Sequence, residues 1–128
     1  MLFRSLNELS HEVIAAAMKV HSKLGPGLLE SAYQSCLLFE LRSRGLRAEA
    51  EVGLPVVYEG HKVDLGYRID ILVQNELVVE LNAIEAIHPV HKAQLLSHVR
   101  LSGRKLGLLI NFNVAHLRDG VVRVVNAF

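Results

Sequence analysis

One cysteine, Cys36, stands in a chain of 128 residues. A lone thiol excludes an internal disulfide framework and fits a reducing compartment. No apolar run approaches the length of a membrane-spanning helix, and Met1-Leu2-Phe3-Arg4 does not begin a signal peptide. The cytoplasm is therefore the expected location, with no membrane partner. An excess of positive charge is also missing: Lys and Arg number 14 against 13 Asp and Glu, a net charge of +1. The composition does not announce nucleic-acid binding, so any phosphate-binding surface has to be local. Internal repeats, linkers and low-complexity segments are absent as well.

What the chain has is apolar residues. They make up 51% of it, and mean hydropathy is +0.29. That supports a single domain over residues 1–128 with a real core. It is high for a soluble monomer of this length, so part of the apolar surface is expected between subunits of a homo-oligomer, a dimer being the simplest.

Helical periodicity at Val13, Ile14, Ala17, Met18 and Val20 predicts a first helix over Asn7–Lys23, capped by Asn7 or Ser10 and ended by Gly25-Pro26. A second helix opens at Gly27, runs through Leu37, Leu38 and Leu41 to Arg44, and has Gly45 at C′. Glu30 lies in its first turn, where the helix dipole favours a carboxylate. Strands are expected over Arg47–Val57, interrupted by Gly53 and Pro55, and over His61–Leu65, with a turn at Glu59-Gly60. Pro89 fits the first turn of a third helix reaching Ser102. Lys105–Phe112 is too apolar to have one face in water, and Asp119-Gly120 turns into a last strand, Val121–Val125. This order predicts an α/β or α+β fold with a mixed central sheet, the third helix crossing over between two parallel strands.

The chemistry concentrates in Tyr67–Asn82. Apolar runs at Ile69–Val73 and Leu77–Val79 flank Gln74-Asn75-Glu76, and Asn tolerates the positive φ of a tight connection, so the stretch reads as a β-hairpin. Pairing Val73 with Leu77 sets Asp70 opposite Glu80 and Arg68 opposite Asn82. Ile69, Ile71, Val73, Leu77, Val79 and Leu81 share the other face. Leu72 and Val78 accompany the acids, which implies that their face is covered too. Two opposed, poorly solvated carboxylates repel unless a cation or a proton lies between them, and a hard divalent ion is the economical explanation.

Other candidates are weaker. His91, Gln94 and His98 lie near one stripe of the third helix, with His88 nearby, but their spacing lacks the tight pairing of zinc motifs. Cys36, inside an apolar helix with no neighbouring His or Asp, reads as a buried structural thiol. Gly25-Pro26-Gly27 is an interhelical turn, too short to cradle a phosphate. Lys62, Arg68, Lys92, Arg100, Arg104 and Lys105 offer at most a phosphate-contacting rim.

Gly27-Leu28-Leu29-Glu30-Ser31-Ala32-Tyr33 resembles the signature of the GxxExxY proteins, a branch similar to the PD-(D/E)xK nuclease superfamily. The resemblance extends over Gly66-Tyr67-Arg68-Ile69-Asp70, Val79-Glu80-Leu81, Ala93-Gln94-Leu95-Leu96 and Gly107–Phe112. It implies a restriction-endonuclease-like core, a mixed central β-sheet flanked by helices. In such a core Asp70 and Glu80 would bind magnesium, or manganese, with the Leu81 carbonyl as a further ligand. Glu30 would assist from the early helix and Gln94 would line the site. The implied activity is metal-dependent hydrolysis of nucleic-acid phosphodiesters, with DNA or RNA as partner.

Two residues depart from the pattern. Asn82 stands where that superfamily has its catalytic lysine, which orients the attacking water and offsets phosphorane charge. His98 stands where a tyrosine is usual. Arg68 or Lys92 could supply the missing cation. The alternative is a catalytically inactive nuclease fold used as a binding or assembly module, dimeric through a strand edge or an apolar helix face.

Overall fold

The computed structural model describes residues 5–127. Helices α1 (Leu6–Leu24) and α2 (Glu30–Ser43) precede strands β1 (Ala48–Gly53), β2 (Val56–Tyr58), β3 (His61–Val63), β4 (Arg68–Val73) and β5 (Leu77–Asn82). Then come α3 (Pro89–Leu101), β6 (Leu106–Asn111), a 3₁₀ turn over Leu117–Gly120 and β7 (Val121–Val125). Among the described residues no helix is long and apolar enough to cross a membrane.

The main sheet has the order β1-β4-β5-β6-β7. Every pairing is antiparallel except β5–β6, which is parallel and bridged by α3 as the element order predicts. This is an α+β, restriction-endonuclease-like mixed sheet flanked by helices. The strand expected over Arg47–Val57 breaks after Gly53, and β2 and β3 pair only with each other as a small ribbon.

Ser5, rather than Asn7 or Ser10, caps α1, its hydroxyl accepting the Glu8 N–H at 3.2 Å. Ser10 is itself buried, its hydroxyl donating to the Asn7 carbonyl at 2.9 Å. The helix therefore starts early enough to bring Leu9 into the core. Between α1 and α2, Gly25 and Gly27 take φ of 68° and 101°, the left-handed region that glycine enters freely. Tyr33 locks that turn: its hydroxyl donates to the Gly25 carbonyl at 2.6 Å and accepts the Leu28 N–H at 3.1 Å. Its ring stacks on Phe112 with centroids 4.4 Å apart. With Leu28 held in this way, α2 starts at Glu30 rather than Gly27.

Helices α1 and α2 cover one sheet face, packing Leu9, Val13, Tyr33, Leu37 and Leu41 against Ile71, Val73, Val79, Leu108 and Ile110. Each fully buried Leu contributes about 1.5–3 kcal/mol. Because α2 turns Tyr33, Leu37 and Leu41 inward, Cys36 falls on the opposite side and is exposed, contrary to the buried thiol expected from sequence. Helix α3 covers the second face with Leu95 and Val99 over Leu72, Val78 and Leu109. All six residues of β6 are buried, as its unbroken apolar sequence predicts.

Gly107 lets α3 rest on the β6 backbone. A Cβ there would stand 2.6 Å from Val99 Cγ2 and 2.9 Å from Leu95 Cδ1. Val99 is β-branched and stiff, so Gly107→Ala is expected to cost about 1–3 kcal/mol and to lower the thermal midpoint measurably. An unchanged midpoint in a calorimetric scan would show that α3 has room to lift.

Candidate active site

Hairpin β4–β5 has the register expected from sequence: Val73 pairs with Leu77, Leu72 with Val78 and Ile71 with Val79. Its turn puts both Gln74 and Asn75 at positive φ, 53° and 55°, and closes with the Glu76 N–H on the Val73 carbonyl at 3.0 Å. These are the conformations of a type I′ turn.

The ladder stops at Ile71, because Asp70 intervenes. One Asp70 carboxylate oxygen accepts the Leu81 N–H at 2.7 Å, taking the donor that a continued ladder would use. On the other side, β1 pairs with β4 at Ala50–Ile71 and Val52–Ile69 but skips the Glu51–Asp70 position. Glu51 there adopts φ 54°, costly for a residue with a side chain. The Asp70 carbonyl instead accepts from the Gln34 amide of α2 at 2.9 Å, and the same amide nitrogen donates to Glu51 Oε1 at 2.8 Å. The sheet thus opens at Asp70 on both edges.

Two sequence expectations fail at this opening. Ile69 packs with Leu54, Leu72 and Val78 under α3, not with Ile71 and Val73, since the alternation of β4 is broken at Asp70. Arg68 does not come to face Asn82: it pairs across to Gly53, and its guanidinium donates to the Tyr67 carbonyl at 2.9 Å and lies 3.9 Å from Asp64.

Glu80 lies on the α3 side, where its carboxylate is bonded directly to His98 Nδ1. Asp70 and Glu80 are close enough for each charge to act on the other. Burial pushes the Asp70 carboxyl up to about 7 against the lowering pull of the Leu81 N–H, and Glu80 and then Glu51 add to the rise. His98 is raised above its ordinary value chiefly by its bond to Glu80, with desolvation opposing and the charges of Glu80 and Asp70 assisting.

Helix α3 reaches this place because Asn111 holds the crossover. Its buried amide accepts the Ile84 N–H at 3.1 Å and donates to the Ile84 carbonyl at 2.9 Å. His88 and His91 then form a capping box, His91 Nδ1 accepting the His88 N–H at 2.8 Å. His91, Gln94 and His98 share the predicted stripe and line a narrow pocket with Glu80 and Asn82. They do not converge as zinc ligands. Among the described residues no group of three or more His, Cys, Asp or Glu does so. The oxygen atoms gathered here are the carboxylates of Asp70 and Glu80 and the Leu81 carbonyl, which in an extended strand points to the same edge as its N–H. Hard oxygen donors around a repelling carboxylate pair fit a hard divalent cation.

Of the residues singled out from sequence, the structure brings together Asp70, Glu80, Leu81, Asn82 and Gln94. Glu30 is exposed at the start of α2, and Gln34, four residues further along the same helical stripe, makes the contact with Asp70. Lys92 is exposed, and among the described residues the ion-pair partner of Glu80 is His98. Sequence reasoning left Gln34 and Glu51 out of the site, the available signal being the spacing from Glu30, and it placed His98 on the α3 stripe without its bond to Glu80. Since the folded-state value of His98 is raised, its ion pair stabilises the fold fully below about pH 6.5 and is lost as pH rises through that higher value. Wild type is therefore expected to exceed His98→Ala in urea stability by more at pH 5.5 than at pH 9. An equal gap at both pH values would mean that His98 only packs.

A family model described as PD-(D/E)XK nuclease superfamily matches residues 7–124. No curated protein and no solved structure matches the chain.

Proposed function

Because the chain belongs to the PD-(D/E)XK nuclease superfamily, we propose that it binds a divalent cation, magnesium or manganese, at Asp70, Glu80 and the Leu81 carbonyl and cleaves a nucleic-acid phosphodiester there. The observation that carries this reading is the opening of the sheet at Asp70, which leaves a carboxyl raised to about 7 beside a second acid. When bound, a divalent ion neutralises the acid pair, polarises a phosphoryl oxygen and makes a coordinated water more acidic. The chain's own groups do the rest. The Leu81 N–H and Gln34 fix Asp70 from its side chain and its carbonyl. His98 orients Glu80. Asn82, two residues along the same face from Glu80, can hydrogen-bond a water but brings no charge, and Gln94 lines the rim.

A second reading, a binding or assembly module on an inactive nuclease fold, is favoured by one observation. Neither Arg68 nor Lys92 replaces the missing lysine, and the group that meets Glu80 is His98. Calorimetric titration with magnesium and manganese, paired with a cleavage assay on mixed DNA and RNA, separates the two. Metal binding with cleavage, both lost in Asp70→Asn, establishes the nuclease. Metal binding without cleavage selects the module, and failure to bind metal removes the site altogether.

A further inference from the structure

A groove runs beside the carboxylate pocket, walled by Tyr67, Val90 and Leu101, with Gln94, Ser97 and His98 along it. Gln94 and His98 also line the pocket that holds Glu80, so the two are continuous. His98 is the shared wall: one side is bonded to Glu80, and the ring lies 5.8 Å from the Tyr67 ring, tilted by 44°. Tyr67 sits at the root of the β2–β3 ribbon, where its carbonyl accepts the Leu54 N–H at 2.9 Å. The backbone of Tyr67 is thereby anchored, yet the residue keeps 45% of its surface exposed.

We infer that this groove is a nucleobase subsite, in which a base of an unpaired strand stacks on Tyr67 while its neighbouring phosphate lies at Asp70 and Glu80. The inference rests on the nuclease reading above. The chemistry that selects a base is the combination present here: a half-exposed aromatic residue, apolar walls at Val90 and Leu101, and an amide and a hydroxyl along the groove that can meet polar edge atoms. A peptide or lipid chain would use the apolar walls but leave the amide and the adjoining carboxylate pocket without a role. Stacking needs the face of a base, and a duplex offers only edges, so the occupant comes from a single strand or a flipped-out nucleotide. Because every base has a π-face, the groove favours unpaired strands without strong sequence preference.

The test is fluorescence anisotropy in calcium, to hold back cleavage, on labelled single-stranded dT 12-mer, its duplex with dA, and a fully abasic sugar–phosphate 12-mer. Wild type is expected to bind the dT strand roughly tenfold tighter than the abasic strand and tighter than the duplex. In Tyr67→Ala that preference disappears while abasic binding stays unchanged, and Tyr67→Phe retains it. Calcium titration of Tyr67→Ala by calorimetry should match wild type, which separates a lost subsite from a damaged fold. A preference for bases that survives in Tyr67→Ala, equal wild-type affinity for dT and abasic strands, or tighter binding of the duplex overturns the subsite while leaving the nuclease reading standing. Calcium binding without affinity for any of the three polymers, or for the matching single-stranded rU 12-mer, overturns both.

Discussion

Asp70→Asn is expected to raise the thermal midpoint of the metal-free protein at pH 8 and, in the same variant, to abolish the stabilisation that magnesium gives wild type. The folded protein holds the Asp70 carboxyl at about 7, against an ordinary 3.8. A group raised in this way favours the folded state fully below about pH 3.8. That contribution is lost progressively as pH climbs, and it is gone above about pH 7. A shift of this size corresponds to about 4 kcal/mol for a fully desolvated group; solvent at the open rim reduces it to roughly 1–2 kcal/mol. The amide of Asn can still accept the Leu81 N–H that Asp70 holds, but it cannot ionise. The variant should therefore melt roughly 5 °C higher than wild type at pH 8, with the gap closing toward pH 4. Magnesium at about a hundred times its dissociation constant stabilises a binding protein by ~2.7 kcal/mol, and that response should be confined to wild type. Scanning calorimetry at pH 4, 6 and 8, with and without magnesium, reads both effects. A variant that melts below wild type at pH 8 would show that ionising Asp70 does not burden the fold, and one that still responds to magnesium would remove Asp70 from the metal site.

The second large effect is expected from Asn82→Lys. Residue 82 ends β5 opposite Asn111, and its carbonyl accepts the Phe112 N–H at 3.0 Å, so the backbone there is tied into the sheet. Its side chain lines the same pocket as Glu80, Gln94 and His98. A lysine would bring a positive charge next to the carboxylates and toward a scissile phosphate. Removing one preorganised charged or hydrogen-bonding group from an active site typically costs ~10²–10³ in turnover, so restoring one should raise metal-dependent cleavage by a comparable factor. Asn82→Gln, which lengthens the amide without adding charge, should stay at the wild-type level. A single-turnover assay on mixed DNA and RNA substrates decides it. If Asn82→Lys folds and binds metal yet cuts no faster, the absence of a lysine is not what limits this site. Attention then moves to Glu80, whose carboxylate is engaged by His98.

The hairpin was legible because its information is local. Alternating apolar residues on either side of Gln74-Asn75-Glu76 admit only one register that buries both strands, and that register brings Asp70 and Glu80 to the same end. The crossover of α3 and the burial of β6 followed from element order and from an apolar run too uniform to face water. Tyr33 was quoted from sequence only as part of a motif. Its place as the lock of the α1–α2 turn and the platform for Phe112 joins residues far apart in the chain.

The partners of the two acids had to wait for the tertiary structure. Charge counting pointed to Arg68 and Lys92, yet Arg68 is drawn aside by the Tyr67 carbonyl and Asp64, and His98 takes the place beside Glu80. Which residue of α3 arrives there depends on how closely the helix settles on the sheet. That distance is set by the bare backbone of Gly107 and the Asn111 clasp on Ile84. Gln34 and Glu51 enter because the sheet opens at Asp70, and the same opening sends Ile69 to the other core. Cys36 lies on a helix with apolar residues on several sides, so only docking decides which side is buried. By itself the sequence determined the hairpin, its register between Ile71–Val79 and the turn, and the nearness of the two acids, since period, turn chemistry and alternation act between near neighbours. Which side chains surround that pair was decided by packing, through distances and angles between elements that no local pattern encodes.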